Sequence, residues 1–62
     1  MNLNDLLKVM DLDTKINIQQ NYKEIYEGNV ADCRGYTFIE NNPKIKSVWY
    51  STLYNAIMIE LQ

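Results

Sequence analysis

Residues Lys44 to Gln62 read KIKSVWYSTLYNAIMIELQ, and this stretch decides the fold. Ile57, Ile59 and Leu61 alternate with Met58 and Glu60, while Val48 and Tyr50 alternate with Ser47, Trp49 and Ser51. Period-two alternation marks a strand with one buried face. Opposed residues of an antiparallel pair share a face, so even-numbered Val48 and Tyr50 lie with odd-numbered Ile57, Ile59 and Leu61. Without a bulge, that parity requires a loop of even length centred near Leu53 to Asn55. A Tyr54-Asn55 turn, with Asn accepting positive φ, and a longer four-residue loop both satisfy it. The opposite face receives Trp49 and Met58, with Ile45 as a further candidate for the same outer patch.

The buried face of this hairpin needs a cover, and the N-terminus supplies one. Leu3, Leu6, Leu7 and Met10 fall at i, i+3, i+4 and i+7, a single helical stripe. Asn2 stands where an N-cap is wanted, and Asp5 and Lys8 suit the positive and negative helix ends. A helix from about Leu3 to Asp11 is expected, ending before Leu12. Thr14 to Ile18 then switches to period two, with Ile16 and Ile18 on one side. Lys23 to Val30 is a further strand in which Ile25 conflicts in parity with Tyr26 and Val30, and a bulge at Gly28 would reconcile them. Ala31 to Gly35 is a connector, and Tyr36 to Glu40 is either a short strand or a helical turn. Asn41-Asn42-Pro43 is the clearest stop, because proline drives the residue before it out of the right-handed α region.

The expected fold is therefore α+β, one domain over residues 1–62. An N-terminal helix packs on an antiparallel sheet of four to five strands. Its stripe covers Ile16, Ile18, Val48, Tyr50, Ile57, Ile59 and Leu61. The alternative is a small, partly closed β-barrel in which both sheet faces become internal.

Composition narrows the chemistry. A chain of 62 residues buries only roughly 60% of its unfolded surface, and domains of this size commonly add a disulfide, a metal or a partner subunit. Cys33 is the only cysteine and histidine is absent, so neither a disulfide nor a thiolate or imidazole metal site is expected. Self-association is the remaining source of burial, and a homodimer is expected. No histidine also means no ready general base. Cys33, between Asp32 and Arg34, reads as a filler residue, since no base accompanies it. Asp11-Leu12-Asp13-Thr14 is similar in part to the aspartate motif of haloacid-dehalogenase-type phosphatases, but its threonine comes one position early and it follows a helix. Gly28 and Gly35 stand alone and make no phosphate loop. No catalytic residue and no cofactor are expected, and the chain reads as a non-enzyme.

A net charge of −2 argues against a nucleic-acid binder. Lys44, Lys46, Trp49 and Tyr50 do interleave cations with aromatics, as in small β-domains that stack bases. Lysines on an early strand also discourage edge aggregation. No apolar run approaches the roughly 20 residues of a membrane span, and Met1 to Asp11 lacks the form of a signal peptide, so a cytoplasmic protein is expected. Tyrosine and tryptophan favour interfaces, and a large exposed apolar patch usually has a partner. The candidate partner-binding residues are Trp49, Met58, Tyr54, Tyr36 and Arg34.

Abundant Asn, Ile and Lys point to an AT-rich genome. The opening Asn2 to Asp11, then Thr14-Lys15-Ile16-Asn17-Ile18, then Ile25-Tyr26-Glu27-Gly28-Asn29-Val30, and a closing strand such as Ala56 to Leu61, resemble small proteins of phages and mobile elements of low-GC Gram-positive bacteria. The resemblance covers most of the chain but not Asp32 to Asn42. It implies an inhibitor of host defence, of the anti-CRISPR kind, that blocks a host protein by binding it. It equally admits a small oligomer that sequesters a nucleotide signal, for which Arg34, Tyr36, Lys44 and Lys46 would matter. A small β-domain that binds nucleic acid is the third expectation.

Overall fold

A computed structural model describes residues Met1–Gln62. Helix α1 (Leu3–Lys8) leads into strands β1 (Lys15–Gln20) and β2 (Lys23–Asn29). Two short helices follow, α2 (Val30–Cys33) and α3 (Thr37–Asn41), and then β3 (Ile45–Ser51) and β4 (Ala56–Leu61). The four strands form one open sheet in the order β2-β1-β4-β3. The fold is α+β, as the alternation implies, and the sheet does not close into a barrel.

The sheet is two local hairpins joined at its centre. In β3–β4, Val48 lies opposite Ile59, Trp49 opposite Met58 and Tyr50 opposite Ile57, with Ser51 and Ala56 bracketing a four-residue loop. Asn55 takes φ 52° in that loop. The β1–β2 turn, Asn21-Tyr22, has φ of 54° and 65°, the double positive pattern of a type I′ turn. The join between the hairpins is parallel, with Ile16 beside Ile57 and Ile18 beside Ile59. Hydrophobic period alone cannot announce this, because it specifies faces and not neighbours.

All the helices lie on one face. The core comprises Leu3 and Leu7 of α1, Ile16 and Ile18 of β1, Tyr26 of β2, Val30 and Cys33 of α2, and Ile59 and Leu61 of β4. Helix α1 is shorter than its stripe. Val9 and Met10 donate to the carbonyls of Leu6 and Leu7, three residues back, so the last turn tightens into 3₁₀ geometry. Met10 still packs on the core, while Val9 and Leu12 are exposed. Residues 37–41 form a helical turn rather than a strand. Its C-cap Asn42 takes the left-handed conformation, φ 45° and ψ 60°, that the following Pro43 permits.

The sheet has two irregularities, one displaced from its expected place at Gly28 and one, in β3, that was not expected. The β1–β2 register slips between Ile18 and Gln19, where Gln19 faces Glu24 and Ile18 faces Tyr26. Ile25 is therefore the extra residue, and it packs on the core from there. Gly28 stays in register opposite Ile16. In β3 the slip makes Lys46 the extra residue, so Ile45 faces Leu61 and joins the core side instead of the outer patch.

Candidate functional site

Ten large apolar side chains are exposed, and five of them, Val48, Trp49, Tyr50, Leu53 and Tyr54, belong to β3 and the loop that follows it. Strand β3 is an edge of the sheet, and beyond Ile45 no strand pairs with its outer side. The helices cover β1, β2 and β4, and the core side of β3 beyond Ile45 is left bare. Val48 and Tyr50 share a face with Ile59 and Ile57, as parity requires, yet they are 45% and 57% exposed. Their expected cover by the α1 stripe is thus corrected: a six-residue helix does not extend over Val48 and Tyr50 of the edge strand.

The opposite face has no covering layer. Trp49 and Met58 do form a cross-strand pair there. Trp49 is 43% exposed, but Met58 is only 3% exposed, because it sits on a central strand flanked by Trp49 and Asn17. Met58 therefore supports the patch from beneath and does not present itself. Asn17 is also buried, at 1%. Its side-chain amide donates to Glu24 Oε1 at 2.6 Å, while its Oδ1 is buried without a donor. No periodicity flags this residue, since a polar residue on the uncovered face would ordinarily be wet.

The loop is held by its own polar groups. Tyr50 Oη bonds to Asn55 Oδ1, and Tyr54 N–H donates to Ser51 Oγ at 3.2 Å. Ser47 Oγ donates to Glu60 Oε1 at 3.2 Å across the strand pair. Tyr54, 51% exposed, thereby stands at the tip beside Leu53, 84% exposed.

The N-terminal segment occupies the start of the β3 edge. Asn2 bridges to Lys44, Leu3 N–H donates to the Pro43 carbonyl at 2.8 Å, and Ile45 N–H donates to the Met1 carbonyl at 2.9 Å. An asparagine cluster fastens it further. Asn4 N–H donates to Asn42 Oδ1, Asn2 Nδ2 donates to the Asn42 carbonyl, and Asn4 Nδ2 donates to the Ile39 carbonyl. Beyond Ile45, the outer edge of β3 has no partner strand.

Tyr36 and Arg34 lie elsewhere. Tyr36 packs edge-on against Tyr26, with ring centres 4.8 Å apart, and both rings approach Phe38. This aromatic trio pins α3 to the sheet. Arg34 caps α2 and lines a shallow depression with Asn4, Leu7, Lys8 and Ile39, on the helical side. Lys46 lines a separate depression with Tyr22 and Glu60. The five candidate residues therefore do not converge. Trp49, Met58 and Tyr54 belong to one hairpin, and Arg34 and Tyr36 belong to the helical layer. Trp49 and Tyr50 point to opposite faces and form no single stacking platform.

Cys33 is fully buried in the core, and burial pushes its thiol up to about 11. It remains a protonated, apolar filler at neutral pH, the opposite of an activated nucleophile. No cluster of three or more acidic, cysteine or histidine side chains is placed to hold a metal ion. No helix is long and apolar enough to cross a membrane. The chain matches no family model, no curated protein and no solved structure.

Proposed function

We propose that this chain is a non-enzymatic binding protein that works through its β3–β4 hairpin, and that its target is a host-defence protein of a bacterium. The observation that carries the first part is the concentration of Val48, Trp49, Tyr50, Leu53 and Tyr54 on one edge strand and its loop. Tryptophan and tyrosine dominate the energetics of protein interfaces, and an edge strand offers unpaired backbone groups beside them. The second part rests on the resemblance to phage and mobile-element proteins, and it implies action in the bacterial cytoplasm.

The test is affinity capture from a low-GC Gram-positive host, followed by binding measurements with the purified captured protein. Trp49→Ser and Leu53→Ser are compared with the wild type, each checked for an unchanged urea midpoint. The expected result is a defence protein whose affinity falls at least tenfold in both variants. Undiminished affinity in both, with the fold intact, sinks the hairpin as the interface.

A further inference from the structure

The geometry points to a second copy of this chain as the occupant of the free β3 edge, paired antiparallel about a two-fold axis at Trp49. This inference rests on the reading of the hairpin as a binding surface and names a partner for it.

The N-terminal segment sets the limits. Met1 to Leu3 already hydrogen-bonds along Pro43 to Ile45, so an incoming strand finds open edge only from Lys46 onward, to the loop at Thr52. The midpoint of that segment is Trp49. A two-fold axis perpendicular to a sheet keeps each face on its own side, so a strand pairs with its copy only in registers that preserve parity. Centring on Trp49 satisfies this. Trp49 then meets the partner's Trp49 on the uncovered face. Val48 meets the partner's Tyr50 on the helical face, and Tyr50 meets the partner's Val48.

Each exposed apolar residue of the strand is thus matched with another. Lys46 falls opposite the partner's Thr52, so the lysines lie at opposite ends of the interface and do not repel. Leu53 and Tyr54 arrive beside the partner's Met1, which is itself 76% exposed.

The area is adequate. Aromatic side chains bury roughly 150–250 Å² each when covered, so Trp49, Tyr50 and Tyr54, each about half exposed, have roughly 100 Å² apiece left to bury. With Val48 and Leu53, about 500 Å² per protomer is available. The resulting total of about 1,000 Å² is the level at which specific interfaces separate from incidental contacts, before the strand backbone is counted. Pairing joins the two sheets into one eight-stranded sheet, with the Trp49 pair at the middle of its uncovered face.

The register makes a covalent test available. Ser47 lies opposite the partner's Ser51, and opposed Cα atoms in an antiparallel pair are about 4.5–5.5 Å apart, within disulfide reach. Within one chain the same residues are ~13 Å apart along an extended strand and cannot bridge. The double variant Ser47→Cys/Ser51→Cys, and an equimolar mixture of the two single variants, should give a covalent dimer on mild oxidation at micromolar concentration. Each single variant alone should give at least tenfold less. Wild type, whose lone Cys33 is buried, should give none. Unmodified protein should sediment as a dimer, and Val48→Lys should convert it to a folded monomer.

Wild-type protein that sediments as a monomer at 100-fold higher concentration overturns the proposal. So does equal cross-linking in single and double variants, which would indicate random collision or another register. A dimer that captures no host protein removes only the host-target reading. A monomer that captures one through Trp49 removes only the self-pairing.

Discussion

Gly28→Ala tests the close approach that holds β2 to the core. Gly28 has φ +154°, which L side chains rarely adopt, and a Cβ there would lie 2.7 Å from Tyr26 Oη and 3.1 Å from Cζ. The tyrosine ring therefore lies across the glycine, and its hydroxyl donates to the Asn29 carbonyl at 2.6 Å. Alanine imposes two costs. The backbone conformation costs about 1–2 kcal/mol in a non-glycine residue. Displacing the hydroxyl forfeits a hydrogen bond worth about 1 kcal/mol and disturbs the contact with Tyr36. Stiffening of the unfolded chain returns about 0.5 kcal/mol. The expected net loss is about 1.5–2.5 kcal/mol, against a total stability of about 3–9 kcal/mol for a domain of this size.

Urea unfolding followed by circular dichroism measures it. A slope near ~1 kcal/mol/M puts the midpoint down by about 2 M. The mechanism is separated by Tyr26→Phe, which costs about 1 kcal/mol by itself but removes the atom in the clash. In that background Gly28→Ala should cost about 1 kcal/mol less, a coupling measurable in a double-mutant cycle. A loss under 0.5 kcal/mol, or an equal loss in both backgrounds, would refute the reasoning.

Three further outcomes follow from groups described above. Asn17→Asp places a second carboxyl against Glu24 in a buried site. It should destabilise by about 2–3 kcal/mol at pH 7, and the loss should shrink as pH falls toward 4, because the native pair holds a shared proton that the unfolded chain releases. A pH-independent deficit in thermal melts would contradict this. The Cys33 thiol, pushed up to about 11 from an ordinary 9.0, keeps its proton in the native state where the unfolded chain loses it. Its contribution to stability is complete below pH 9 and declines between pH 9 and 11. A Cys33→Ala variant should show a smaller decline, keeping only the part due to Tyr26, whose hydroxyl is also held up by burial, and native thiol labelling should proceed no faster than unfolding. Asn42→Gly should cost about 1 kcal/mol for the lost Asn4 bond, and Asn42→Ala about 2 kcal/mol because the left-handed backbone is penalised as well. Equal costs would show that the conformation is not strained.

Faces were legible in the residues, and depths were not. Alternation alone places Trp49 with Met58 and Val48 with Ile59, and the register agrees on both. Depth depends on strand order. Met58 lies deep because β4 is central, and Val48 lies shallow because β3 is an edge, and neither position has a local signature. The slip at Lys46 was hidden for a related reason. Ile45 and Val48 are both apolar at an odd spacing, and only a docked β4 shows which residue is extra. Helix α1 was visible in its leucine stripe, whereas its early end depends on tightening against a sheet that the local sequence does not contain. The Asn2, Asn4 and Asn42 tie was equally invisible, since asparagines in loops ordinarily bond to water. It fixes where the open edge of β3 begins.

The parallel join between β1 and β4 has a kinetic meaning. Each hairpin closes over a short loop and can form within microseconds, but two-stranded hairpins are marginal in water. Neither acquires a core until Ile16 and Ile18 meet Ile57 and Ile59, 41 residues further along the chain. This closure, like the one that seats Met1 to Leu3 along Pro43 to Ile45, costs more chain entropy than either hairpin turn and should slow folding. Until β1 and β4 meet, β4 has an open edge of its own beside β3. A chain with the β3–β4 hairpin formed but not yet joined to β1 therefore exposes Ile57 and Ile59 without a core to cover them. In that interval a neighbouring copy competes directly with β1 for the same backbone groups, so yield in the cell should depend on synthesis rate as well as on the stability of the finished fold.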